Sequence, residues 1–320
     1  MTQPLRWGII STGGIANTFA QDIQLTTEGV VVAVGSRDLA SANAFADKYG
    51  IMHRHGSYEE LVNNPEVDVV YVATPHPMHR ANAELALNAG KHVLCEKAFT
   101  MNAQEAKELV AIAREKGLFL MEAMWTRFLP HVVKIREIIA SGALGKIIAF
   151  EADHGKYFPD DPKSRLFAPE LGGSALLDLG IYPVSFASMV LGTPTKMTCI
   201  VDPAFTGVDA YCSMVFQYGA GVHALLTTTS SGRTATRACI SGTLARIEID
   251  DDFYGQVGFT VITREGERTR YDFEAVGRGL RFQTIEVANC IAQGRTESDI
   301  MPLDETIAIM QTMDEILTYL

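Results

Sequence analysis

The chain has 320 residues, 47% of them hydrophobic and 20% charged, which suits a globular protein of one large or two medium domains. A formal net charge of −11 argues against a nucleic-acid binder, because neutralising phosphates needs a basic face. Five widely spaced cysteines without a CxxC give neither a disulfide framework nor a zinc knuckle. The opening "MTQPLRWGII" runs into a strand within a few residues and lacks the apolar stretch and cleavage site of a secretory signal. No uninterrupted apolar run approaches the roughly 20 residues of a membrane span, so a cytoplasmic protein is expected.

Up to about residue 122, short apolar runs alternate with helical segments. Strands are expected at 6–10, 30–36, 67–73, 91–95 and 118–122, rich in Val and Ile on consecutive positions. Such runs suit a parallel sheet covered by helices on both faces. Ser57 with Glu60, and Asn102 with Glu105, have the spacing of an N-cap followed by an acid, while Gly50, Gly90 and Gly117 stand where helices should end. The rhythm predicts a doubly wound Rossmann-type α/β domain over residues 1–122.

After a helix at 128–142 the pattern changes. Strand-like runs follow at 146–153, 196–202, 211–217, 221–229, 235–240, 245–250 and 257–263, interrupted by a helix at 174–192 and closed by one at 303–320. Consecutive strands with short turns predict an α+β domain over 123–320 with a large, open, mainly antiparallel sheet. The closing helix is expected to return to the first domain. An open sheet exposes one face, so a homodimer formed through it is expected.

Between the first strand and first helix stands "STGGIA", residues 11–16, in the place of a G-x-G-x-x-G/A loop. Gly13 lets the backbone approach a pyrophosphate and Ala16 lets the helix pack closely, although Ser11 replaces the first glycine. The next strand ends "VGSRD", with Ser36 and Arg37 where an acid would accept from the ribose of NAD. A hydroxyl and a guanidinium suit a 2′-phosphate, which points to NADP with NAD possible; Asp38 is the alternative ribose acceptor.

Two further strand ends carry chemistry. Thr74-Pro75 stops the strand at 67–73, and His76 and His79 flank the turn that follows, with no third ligand nearby for a metal. Glu96 and Lys97 close the strand at 91–95. Lys97 acts as a general acid or base only if its amine becomes neutral near pH 7, through desolvation or a neighbouring positive charge. The bland alternative is an exposed ion pair. In "GGSALLDLGIYPVS", Ser174 is an N-cap, and Asp178 and Tyr182 share one helix face. With Lys97, the two would supply proton transfer to a substrate hydroxyl.

These blocks resemble the Gfo/Idh/MocA oxidoreductase family over essentially the whole chain, through "GIISTGGIA", "ATPHPMHRANAELALNAGKHVLCEKAFTMN" and "LGGSALLDLGIYPVSF". "MEAMWTRFLP" and a tyrosine at 182 are most similar to the dimeric dihydrodiol dehydrogenase and NADP-dependent D-xylose dehydrogenase branch. The resemblance implies Lys97 as acid/base, Tyr182 sharing the substrate hydroxyl and Asp178 orienting substrate or Lys97. It implies NADP held by Ser11, Thr12, Gly13, Gly14, Ile15, Ser36 and Arg37, with Thr74, Pro75, His79 and Glu96 at the same edge. Trp125, Arg127 and His154 would line the pocket for a sugar or polyol, and no metal is implied. The implied reaction is hydride transfer between a sugar or trans-dihydrodiol carbinol carbon and the nicotinamide. A keto-sugar reductase and a non-catalytic NADP-sensing regulator are the alternatives. The chain departs from the family pattern at Ala98, for the proline after Glu-Lys, at Ser174, for a third glycine, at Ser185, for an aspartate, and at His154, for an aromatic such as Phe.

Overall fold

The computed structural model describes residues 3–320. Its elements run β1 (Leu5–Ile10), α1 (Gly14–Asp22), β2 (Gly29–Gly35), α2 (Leu39–Tyr49), β3 (His53–His55), α3 (Tyr58–Val62), β4 (Val69–Val72), α4 (His79–Asn88), β5 (His92–Glu96), α5 (Ala103–Lys116) and β6 (Leu120–Ala123). There follow α6 (Pro130–Ala140), β7 (Ile147–Gly155), α7 (Ile181–Leu191), β8 (Lys196–Pro203), β9 (Asp209–Gln217) and β10 (His223–Thr229). The chain ends with β11 (Ala238–Gly242), β12 (Ala245–Ile249), β13 (Phe259–Thr263), β14 (Arg268–Tyr271), α8 (Arg281–Ala292) and α9 (Leu303–Leu317). Two compact units result, Met1–Phe128 with Val276–Ile307, and Leu129–Ala275 with Ala308–Leu320. Segment 276–307, which carries α8, is the part of the later chain that joins the first unit, and the division falls within α9.

The first unit is a parallel sheet in the order β3-β2-β1-β4-β5-β6. Strand order reverses between β1 and β4, and the crevice at the carboxyl ends of such strands is where open α/β sheets bind ligands. All four residues of β4 and all but the first of β5 are buried, as the unbroken apolar runs require. The expected caps form: Glu60 N–H donates to Ser57 Oγ (3.1 Å) and Glu105 N–H to Asn102 Oδ1 (2.9 Å).

The second unit is built on an eight-stranded sheet, β14-β13-β12-β11-β7-β10-β9-β8. Its pairs are antiparallel except β7–β10, which is parallel. Alternate residues of β9 and β10 face inward (Cys212, Met214, Phe216, Ala224 and Leu226) against the layer that holds α7. The outward set includes Ile200, Tyr211, Val215 and Leu225, all substantially exposed.

Three elements escaped the sequence pattern: β3 reads "HRH", β14 reads "RTRY" and lies at a sheet edge, and α8 buries Gln283 and Thr284 on its inner face. Polar composition hides each of them from a hydrophobic-period reading. The helix expected at 174–192 begins instead with a wide, π-type turn, Leu176–Gly180, and becomes regular in α7. By length and composition the helical stretch Pro169–Leu191 would suit a membrane span, which the absence of long apolar runs had argued against. It is 78% buried inside the fold and is a core helix.

Candidate active site

The loop after β1 is shaped for an anion. Ser11 has φ +100°, a conformation that favours glycine and that the first glycine of the usual motif supplies. Its amide donates to Gly35 O (2.9 Å) and its hydroxyl accepts from Gly13 N–H (3.2 Å), which fixes the loop against β2. Gly13 is the N-cap of α1 with no side-chain cap, and no acid lies in the first turn. A Cβ on Gly14 would meet nothing within 4 Å. Open space before uncapped helix N–H groups fits a dinucleotide pyrophosphate. Asn17 Nδ2 steadies the loop through the carbonyls of Thr12 (3.1 Å) and Gly13 (2.9 Å).

At the end of β2, Ser36 is anchored through its amide to His55 O (3.2 Å), and Arg37 is exposed. Burial pushes the Tyr58 phenol up, and the nearby Arg37 charge opposes the shift. Asp38 caps α2, accepting from Ala40 N–H (2.9 Å) and Ser41 N–H (3.2 Å). The acid that stood as an alternative ribose acceptor is thereby engaged with its own helix.

The carboxyl ends of β4 and β5 are joined by histidines. Pro75 sits just before a short turn, 76–78. His76 Nε2 lies 3.2 Å from both Lys97 O and Ala98 N, and the Lys97–Ala98 peptide is cis. His79 is buried, with Nδ1 2.9 Å from Ala98 O and Nε2 2.8 Å from Thr74 O. Two carbonyls call for an imidazolium, whereas burial lowers the ring's pKa and favours the neutral form. In either state both nitrogens are directed at main chain, and His79 braces the two turns. Thr74 Oγ1 accepts from Asn82 Nδ2 (3.2 Å). Glu96 is buried; it accepts from the Tyr71 hydroxyl and, at 3.2 Å, from Lys97 N–H. Lys97 is half-buried directly beyond β5.

Trp125 and Arg127 follow β6 in a short turn. Arg127 is 2% exposed and donates to Ile300 O (3.2 Å) and Glu305 Oε1 (2.7 Å). This buried ion pair ties the turn to the start of α9, so Arg127 anchors the turn. Trp125 is buried beneath Arg278, whose guanidinium lies 5.3 Å from the ring centroid. Arg278, Gly279 and Leu280 donate their amides to Asp22 at the end of α1 (2.8, 2.5 and 2.6 Å).

In the second unit, Asp178 lies in the wide turn and Tyr182 one turn later in α7, both buried. Arg165 Nη2 donates to both Asp178 oxygens at 3.1 Å. His154, 1% exposed, faces Leu179 O through Nδ1 (3.0 Å); a carbonyl can only accept, so Nδ1 carries the proton. Its ring stacks on Tyr254 (4.6 Å) and meets Tyr182 edge-on (5.3 Å), while Tyr182 and Tyr254 are 4.9 Å apart. His154 therefore packs as one more ring of this aromatic cluster. Lys156 Nζ completes the group at 2.5 Å from the Tyr254 hydroxyl. Sequence reasoning missed Arg165, Lys156 and Tyr254. "DDFYG" offers no periodic signal, and Arg165 lies in a segment with no strand or helix pattern. Among the described residues no group of three or more His, Cys, Asp or Glu side chains is placed to hold a metal ion.

A family model described as an oxidoreductase family with an NAD-binding Rossmann fold matches residues 5–124. A second, the GFO/IDH/MocA C-terminal domain, matches residues 132–248. Trans-1,2-dihydrobenzene-1,2-diol dehydrogenase from Bos taurus is 37% identical over 98% of this chain and 96% of its own length. The Homo sapiens enzyme of that name is also 37% identical, with the same coverage of 98% and 96%. Among solved structures, aldose-aldose oxidoreductase from Caulobacter crescentus shares the fold at TM-score 0.88, with 24% identity over 99% of this chain and 97% of that one. A 3-ketoreductase from Actinomadura kijaniata, crystallised with NADP and TDP-benzene, superposes at TM-score 0.85 and 25% identity over 98% and 97%. With both halves matched and more than a third of residues identical along nearly the whole chain, the protein belongs to the Gfo/Idh/MocA oxidoreductase family, and it is a dehydrogenase that uses NAD(P).

Proposed function

We propose that this enzyme oxidises a carbinol of a trans-dihydrodiol or of a sugar such as an aldose, with NADP as the preferred cofactor. The observation that carries the reading is Lys97, held directly beyond β5 at the sheet edge that also bears the phosphate loop. The names of the relatives supply the substrate class. Bound NADP provides the hydride acceptor. Lys97, with its amine neutral, takes the proton of the reacting hydroxyl, and Tyr182 hydrogen-bonds that oxygen. Asp178, steadied by Arg165, orients the neighbouring hydroxyl. Ser36 and Arg37 favour a 2′-phosphate, while Asp38 is oriented by its two bonds as a helix cap. We also propose a homodimer formed through the exposed face of the eight-stranded sheet.

The test follows NADPH formation with trans-dihydrodiols, D-xylose and D-glucose. Lys97→Met is expected to lower kcat/KM by about a hundredfold or more and Tyr182→Phe by about tenfold or more, each with NADPH binding retained. Full activity in Lys97→Met would sink the mechanism. Arg37→Ala should weaken NADP about tenfold more than NAD, and equal loss for both would contradict the cofactor preference.

A further inference from the structure

The loop after β1 has a support that reaches it from 32 residues along the chain. Asn17, half-buried on α1, uses its whole side-chain amide. Nδ2 donates to Thr12 O (3.1 Å) and Gly13 O (2.9 Å), and Oδ1 accepts from Lys48 Nζ and the Tyr49 hydroxyl, both at 2.8 Å. A primary amide has two N–H donors and two acceptor lone pairs, so these bonds exhaust it. They also fix which way it points. An ammonium can only donate, so the atom facing Lys48 is oxygen and the atom facing the two carbonyls is nitrogen.

The two carbonyls matter through the peptides they belong to. A trans peptide is planar, with its C=O and N–H pointing in opposite directions. Holding Thr12 O toward Asn17 therefore turns the Gly13 N–H the other way, where it donates to Ser11 Oγ (3.2 Å). Holding Gly13 O likewise turns the Gly14 N–H away from Asn17, at the first residue of α1. A donor fixed at a helix start is what a pyrophosphate oxygen needs.

Lys48 and Tyr49 are the last two residues of α2. The helix stops there because Gly50 takes φ +68°, and Ile51 N–H returns to Ala46 O at 3.0 Å. The Tyr49 ring packs on Phe45, with centroids 4.8 Å apart, which holds the hydroxyl in place. Ser36 and Arg37 stand just before the same helix, and Asp38 is its N-cap.

We propose that Asn17 is a positioning residue for the pyrophosphate loop, and that Tyr49 acts through it by holding its amide. The proposal rests on the use of NAD(P) by this chain and is independent of the roles given to Lys97 and Tyr182. NAD and NADP share the pyrophosphate, so the support serves both alike.

The test is a fluorescence titration of NADPH and NADH without substrate. Asn17→Ala is expected to raise both dissociation constants about tenfold, and Tyr49→Phe, which removes one donor, about threefold. The double variant should bind as Asn17→Ala does, because removing Tyr49 costs nothing once its target is gone. The unfolding midpoint of cofactor-free Tyr49→Phe should stay within about 3 °C of wild type. Wild-type affinity in Asn17→Ala and Tyr49→Phe, or losses that multiply in the double variant, would overturn the proposal. So would weaker NADPH with unchanged NADH, which locates the effect at the 2′-phosphate. A fully active Lys97→Met would remove the proposed chemistry and leave this binding test intact.

Discussion

At the scale of single residues, the buried acid of β6 makes stability depend on pH in a defined direction. Burial pushes the carboxyl of Glu122, 0% exposed on β6, up to about 7 from its ordinary value of 4.5. The native state therefore keeps a proton that the unfolded chain releases across that window. The stabilisation is fully present below pH 4.5 and is lost as pH rises through 7, in all about 3 kcal/mol. Glu122→Gln cannot ionise, so its stability relative to wild type should rise by about that amount between pH 4.5 and 8. Urea unfolding of both proteins at those two pH values checks this, and parallel pH dependence would contradict it. Nothing in "LMEAM" signals that burial, because a glutamate after a strand-like run reads as its solvated end. Ser11 shows the converse. Its place in the loop was legible, but only the backbone shows that a serine takes the positive φ of a glycine.

At the scale of elements, the helix carrying Asp178 and Tyr182 was visible from Ser174 and the spacing of its polar residues, whereas its anchor was not. Asp209, on β9 and 3% exposed, accepts from Leu176 N–H at 2.6 Å, and Ser174 Oγ accepts from Leu177 N–H at 2.9 Å. A strand thus supplies a carboxylate to the start of a helix whose wide turn leaves main-chain donors to satisfy. The contact spans 33 residues of sequence, so no local pattern records it. Burial raises the Asp209 pKa, opposed by Ser174 and the amides of the same turn. Asp209→Ala should cost about 2–3 kcal/mol, because it strands a buried N–H, while Asp209→Asn, which keeps one oxygen, should cost about 1. The cofactor loop belongs to the first unit, so NADPH binding should survive both changes while carbinol oxidation falls. Thermal unfolding and kcat measured together would expose equal effects of Ala and Asn, which would argue against a role for the carboxylate.

At the scale of the molecule, two kinds of sheet were legible for one physical reason. Strands covered on both faces read as unbroken apolar runs, as in β4, and half-covered strands alternate, as in β8 with Met197, Cys199 and Val201 inward. The parallel pairing of β7 with β10 and the joining of 276–307 to the first unit were not legible, since periodicity fixes neither strand partners nor chain routing. The same alternation leaves a consequence on the outer face. Val215 and Leu225 lie opposite each other in register, 44% and 48% exposed, and Ile200 on β8 is exposed on the same face. A groove of about 890 Å³ runs across this face. Its lining mixes Val215 and Leu225 with charged side chains of both signs, among them Glu151, Arg237, Glu248 and Arg268, a surface that suits burial against a second copy presenting the same residues. Light scattering after size exclusion should therefore give twice the 34.9 kDa chain mass for wild type. Leu225→Glu, which would bury an unpaired carboxylate in such an interface, should give the single-chain mass with little change in thermal stability, because the side chain lies outside the inner core. A wild type that runs as one chain, or a Leu225→Glu variant that stays a dimer, would exclude this face as the interface.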